Sequence, residues 1–279
     1  MSRVQRRMYK RARGQAMLRR IALLFTAVMI IAGLAGRFRR GNDLTAQPLL
    51  KPTPTPVTLG FDETVTSREI ALEKLTWYGL QTGIFSTKEA ADAKAASFAD
   101  RGAPGYVYQD GEKYRVLIAC YGEESDAATV RDRLARQQEV DVYLHRWALP
   151  ALTLRLSGMA GQLDVAEAGL HLVRQSAAQL RDCAIAADRG ESGLSGAQAT
   201  LKQMDESFRL WQETARRRFA KPYPMLIDEL LSLADAWGTH YASMTAASRD
   251  ITALSASMKI HAMTMYTQLA QLHHRLESQ

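Results

Sequence analysis

Cysteine is nearly missing from this 279-residue chain: Cys120 and Cys183 are the two present. Two thiols exclude a disulfide framework. They fall in different predicted regions, so a bridge would staple those regions together; two separate buried thiols are the preferred reading. Phosphate-cradling glycine loops are also missing, as is any strand-turn-helix setting for a nucleophilic serine. Ser157-Gly158 and Ser192-Gly193 lack that context. Histidine is sparse and scattered. Glu167 and His171 share a helix face but lack further ligands, His273 and His274 point different ways, and His261 sits in a Met-rich seam that reads as packing. No catalytic residue, metal ligand or cofactor site is expected, and the chain reads as non-enzymatic.

Acidic residues are missing from one place only. Residues 1–40 hold eleven Lys and Arg and no Asp or Glu, which leaves 25 basic against 29 acidic side chains in the rest. The formal charge of +7 therefore belongs to the N-terminus, and the body is mildly acidic. That balance argues against nucleic acid as a partner.

Long apolar runs are equally rare. The best is the uncharged stretch from Ile21 to Gly36. As a helix it spans about 24 Å, short of a hydrocarbon core of about 30 Å. Arg19, Arg20, Arg37 and Arg39 have stems able to snorkel across the deficit. We read 1–20 as a basic cytoplasmic segment and 21–36 as a transmembrane anchor, with the bulk outside the cytoplasm. A cleaved signal peptide ending near Gly33-Leu34-Ala35 is the competing reading. Residues 37–69 read as an extended linker, because Lys51-Pro52-Thr53-Pro54-Thr55-Pro56 favours polyproline II.

Residues 70–148 carry strand and helix signals in turn. Trp77 to Ile84 alternates with period two, placing Tyr78, Leu80, Thr82 and Ile84 on one face and Trp77, Gln81 and Gly83 on the other. Ser86-Thr87-Lys88-Glu89 opens an Ala-rich helix, and Asp110-Gly111 marks a hairpin between Tyr106-Val107-Tyr108 and Tyr114 to Tyr121. A second helix follows over Ser125 to Gln137, then a strand over Val140 to Trp147. The order is βαββαβ, an α+β arrangement with both helices on one face of the sheet. Alternation puts Trp77, Gln81, Tyr106, Tyr108, Arg115, Tyr143, His145 and Trp147 on the other, open face. Flat aromatic rings beside amide and guanidinium donors suit a sugar ligand.

This segment resembles the SPOR (sporulation-related repeat) family, small ferredoxin- or RNP-like extracytoplasmic domains that bind peptidoglycan glycan strands. The resemblance rests on Gln81-Thr82-Gly83, matching a Gln-x-Gly pattern, on Arg115-Val116 in the third strand, and on Trp147 as the aromatic near the last strand. It departs at Ile84, where the family is usually small and polar, and at Ala119-Cys120, where Gly-Pro is common. The resemblance implies glycan contact through Gln81, Tyr106, Arg115, Tyr143 and Trp147, and a place in cell division or sporulation. RNA-recognition domains share the chain order, but Glu112-Lys113-Tyr114-Arg115 is not their signature.

After Pro150 the period changes to alternating threes and fours. The series Leu163, Ala166, Leu170, Val173, Ala177, Leu180, Ala184, Ala187 is one; Ala197, Leu201, Met204, Phe208, Trp211, Ala215 is the next. A third runs from Ile227 through Trp237 and Met258 to Leu276. Residues 151–279 are thus expected to be helical. A bend near Gly238 or the Ser-rich 243–257 stretch makes a self-contained four-helix bundle. Otherwise the last helix extends as a coiled coil toward a helical partner or a second copy. The matching alternative function is an envelope scaffold working through protein contacts.

Overall fold

The computed structural model describes residues 64–99, 103, 105–138 and 140–278, and these form one compact unit. The anchor expected at 21–36 lies outside the described residues. Among those described, no helix is long and apolar enough to cross a membrane.

The elements run β1 (Thr66–Leu72), β2 (Leu75–Phe85), α1 (Lys88–Ala99), β3 (Tyr106–Asp110), β4 (Lys113–Tyr121), α2 (Glu124–Gln138), β5 (Tyr143–Leu149), β6 (Leu152–Gly158), α3 (Ala160–Asp188), α4 (Leu194–Arg218), α5 (Met225–Ala247) and α6 (Ile251–Glu277). β2 to β5 form an antiparallel sheet in the order β3-β4-β2-β5. Local chemistry sets the connections. Thr87 Oγ1 accepts from Ala90 N–H at 3.3 Å to start α1. Gly111, at φ 60°, takes the left-handed turn position between β3 and β4.

One face of this sheet packs under α1 and α2. Leu80, Ile118, Ala119, Tyr121 and Val142 meet Phe98 and Ala127, while Val116 meets Ala91 and Ala95. Ile118 and Ala119 both point this way because β4 carries an extra residue between the Leu80↔Ala119 and Gln81↔Leu117 pairs. A compensating extra residue, Thr82, sits in β2 before the Gly83↔Val116 pair. The second bulge reverses the expected sides of Gly83 and Ile84. Ile84 pairs with Arg115 and so lies on the face opposite α1 and α2, 49% exposed.

Two boundaries differ from the sequence reading. Residues 66–69, read as linker, belong to β1 (Thr66–Leu72), and 152–158, read as the start of the helices, are β6. The two strands pair antiparallel from Thr66↔Gly158 to Leu72↔Leu152. Their alternation is short and was masked by the Pro/Thr linker on one side and the helical period on the other. Ile70, Leu72 and Leu154 turn inward and join the core shared with the helices.

The helical seams close on one another. Every heptad position named above in α3 and α4 is buried, as are Ile227, Leu230, Ala234, Trp237, Tyr241 and Met244 of α5. The long third series breaks at Ser248–Asp250, where Asp250 Oδ1 caps α6 by accepting from Ala253 N–H at 2.8 Å. Four helices result, and the seams find their partners within the chain. Cys120 and Cys183 are both free thiols, the first buried and the second half-buried.

Candidate functional site

The face of the sheet opposite α1 and α2 can be read row by row from the strand register. Tyr106, Leu117, Gln81 and Tyr143 form one row, since each pairs with the next. Tyr108, Arg115 and Ile84 form the adjacent row on one side. On the other side come Cys120, Gly79 and His145, then Trp77 and Trp147. All eight residues that alternation assigns to this face do share it.

The face is not open, which corrects the sequence reading. α3 and α6 lie against the half that holds Trp77 and Trp147. Tyr266 of α6 stacks on Trp147 with ring centroids 5.0 Å apart and planes 9° apart, and meets Trp77 at 4.8 Å. Arg181 of α3 places its guanidinium 4.8 Å from the Trp77 ring centroid. Tyr106 Oη and Thr267 Oγ1 are hydrogen-bonded at 2.9 Å. Trp77 is fully buried and Trp147 is 8% exposed, and both belong to the continuous core running into the bundle. The physical reason lies in the rings themselves: the half of the face carrying Trp77, Trp147, Tyr106 and Tyr108 is a large apolar surface, and burying it against helices is favourable.

What stays accessible is the strip toward the β3–β4 turn. Arg115 is its centre. Nε donates to Asp110 Oδ2 at 2.5 Å and Nη1 to Gln81 Oε1 at 2.8 Å, so the guanidinium is fixed by two side-chain partners. Gln81 is 7% exposed at the edge of the covered region. Tyr143, its neighbour across β2–β5, is 62% exposed, and Ile84 stands on the other side of Arg115. Tyr108 reaches over the strands to bring its Oη within 2.5 Å of His145 Nε2. A Cβ on Gly79 would come within 3.1 Å of Leu117 Cδ1. Burial raises the Tyr108 phenol to about 12 and, aided by Arg115, lowers the His145 imidazole. Both are therefore neutral hydrogen-bonding groups at neutral pH.

Of the five residues implied by the resemblance, Arg115 and Tyr143 lie on this strip, and Gln81 is buried at its edge, joined to it through Arg115. Tyr106 is half-buried under α6, and Trp147 is stacked beneath Tyr266. Sequence reasoning missed Ile84 as a member of the strip, because strict alternation cannot register a bulge. Among the described residues no group of His, Cys, Asp and Glu is placed to hold a metal ion.

Residues 76–144 match the model of the SPOR domain family. The matched segment runs from β2 through α1, β3, β4 and α2 to the first two residues of β5, and ends before His145 and Trp147; β1, β6 and α3–α6 lie outside it. Among solved structures, the solution structure of the peptidoglycan-binding domain of the B. subtilis cell wall lytic enzyme CwlC is similar. It shows 25% identity over 26% of this chain and 90% of that one, with a TM-score of 0.23. No curated protein sequence matches the chain.

Proposed function

We propose that this protein is a non-enzymatic, membrane-anchored, extracytoplasmic protein that binds peptidoglycan glycan strands through its SPOR domain. The observation that carries the proposal is the Gln81–Arg115–Asp110 network, set by a SPOR-matched segment on the accessible strip beside Tyr143. Arg115, held in place by buried Gln81, supplies donors for hydroxyl and N-acetyl oxygens, and Tyr143 supplies a flat apolar ring for a sugar face. By the family resemblance, the protein acts where the wall is remodelled, in division or sporulation.

The test is retention of the full-length, detergent-solubilised protein on purified peptidoglycan sacculi. Wild type is expected to pellet, while Gln81→Ala and Tyr143→Ala lose at least tenfold of that retention. Wild type that stays in the supernatant, or variants that pellet equally, sink the reading. The covering of Trp77 and Trp147 by α3 and α6 favours a second reading, an envelope scaffold that works through protein contacts. Absence of wall retention together with concentration-dependent self-association would select it.

A further inference from the structure

β1 and β2 are nearly one strand, and so are β5 and β6. The first pair breaks at Glu73-Lys74 and the second at Pro150-Ala151. The breaks face each other, since Leu72 pairs with Leu152 on one side and Leu75 with Leu149 on the other. On one side of this line lies the SPOR sheet. On the other the β1–β6 ribbon packs on α3 and α6. Both breaks are held by the helices that cover the sheet. Arg174 of α3 donates to the Glu73 carbonyl, and His273 Nε2 of α6 donates to the Pro150 carbonyl at 3.0 Å.

The interface on the sheet also carries a polar atom without a partner. The Trp77 Nε1–H is buried with no hydrogen bond, whereas Trp211 and Trp237 in the bundle find the Val165 carbonyl and Gln268 Oε1. An unpaired buried donor weakens the closed state relative to one in which water or a ligand meets it.

We propose that the paired breaks form a hinge, on which the ribbon and helices lift from the sheet as one body and uncover the Trp77–Trp147 platform for a glycan strand. This rests on the glycan-binding reading above. Tyr266 on Trp147 then occupies the place of a sugar ring, and the closed form is the autoinhibited one. A ligand that binds the open form alone shifts the population toward it, and its apparent affinity is reduced by the fraction of protein that is open.

Cys120 is a built-in reporter. It faces the helices from β4 at 3% exposure, and burial pushes its thiol up to about 12, so it is unreactive while closed. The experiment is maleimide labelling of the full chain in a Cys183→Ser background across low urea concentrations, with sacculus retention measured in parallel. Labelling of Cys120 is expected to depend on urea less steeply than global unfolding, and to quicken at least tenfold in Arg174→Met and in Arg181→Gln. Retention is expected to rise with it and to fall again when Gln81→Ala is added. Labelling that follows the global unfolding slope in every variant overturns the hinge, even where wild type pellets with sacculi. Fast sub-global labelling without any change in retention overturns the inhibitory role. Absence of retention in all proteins instead refutes the binding reading on which it rests.

Discussion

The ring of Tyr266 lies flat on that of Trp147, 5.0 Å between centroids and 9° from parallel, joining the last helix to the last strand of the SPOR sheet. Tyr266 also donates from its hydroxyl to the Leu75 carbonyl at 3.4 Å. Burial raises its phenol far above the ordinary value, so the hydroxyl keeps its proton throughout the physiological range.

That contact predicts a measurable coupling. Tyr266→Ala and Trp147→Ala are each expected to cost ~3–5 kcal/mol, and the double variant ~1 kcal/mol less than their sum. Urea denaturation of the four proteins of the cycle measures it. Additive losses would mean that the two rings do not stabilise one another. Tyr266→Phe keeps the stack and is expected to lose only about 1 kcal/mol.

Gly169 sets a helix-propensity gain against a steric clash. Alanine in the middle of α3 is favoured by about 1 kcal/mol on propensity alone. A Cβ there would lie 2.4 Å from Trp211 Cζ2, and that indole is fixed by its bond to the Val165 carbonyl. The clash is expected to win, so Gly169→Ala lowers stability by ~1–3 kcal/mol. A thermal melt that rises on substitution would show that Trp211 can move aside.

Stability is expected to fall in acid through His261. Burial, reinforced by His240 with ring centroids 4.5 Å apart, lowers its pKa from 6.5 to about 3, and its Nε2 has no partner. The unfolded chain therefore takes up the proton first. The contribution is fully present above pH 6.5 and is lost as pH falls toward 3, by about 4–5 kcal/mol at most. His261→Gln is expected to flatten the pH dependence relative to wild type in urea titrations at pH 7, 5.5 and 4.5. Parallel profiles would assign the acid sensitivity to other groups.

The ribbon is expected to be structural and not linker. Ile70 is 1% exposed and pairs with Leu154. Ile70→Ala is predicted to cost ~2–4 kcal/mol in chemical denaturation. A loss below about 0.5 kcal/mol, the range of surface substitutions, would mean that β1 contributes nothing to the core.

The elements of the sheet and bundle were legible because their periods are long and regular. Leu163 to Ala187 and Ala197 to Ala215 recur at helical spacing, and each of those positions is buried. The break at Ser248–Asp250 was legible only as a region, since its polar residues suit either a bend or a straight helix. Ile84 was assigned to the wrong face because Thr82 inserts one residue into β2 and reverses the alternation after it. β1 and β6 were missed because each pairs with a segment eighty or more positions away.

By itself, then, the sequence determined which residues share a face: Gln81, Arg115 and Tyr143 with Trp77 and Trp147, and the apolar seams of four helices. Alternation and heptad spacing are local properties of a chain. What covers a face is a long-range property that no local spacing encodes. Only the tertiary structure decided that Tyr266, 119 positions after Trp147, lies on the aromatic half of the sheet and leaves the Arg115 strip accessible. Apolar burial favours covering the rings, while Gln81, Arg115 and Asp110 satisfy one another beside that cover without it.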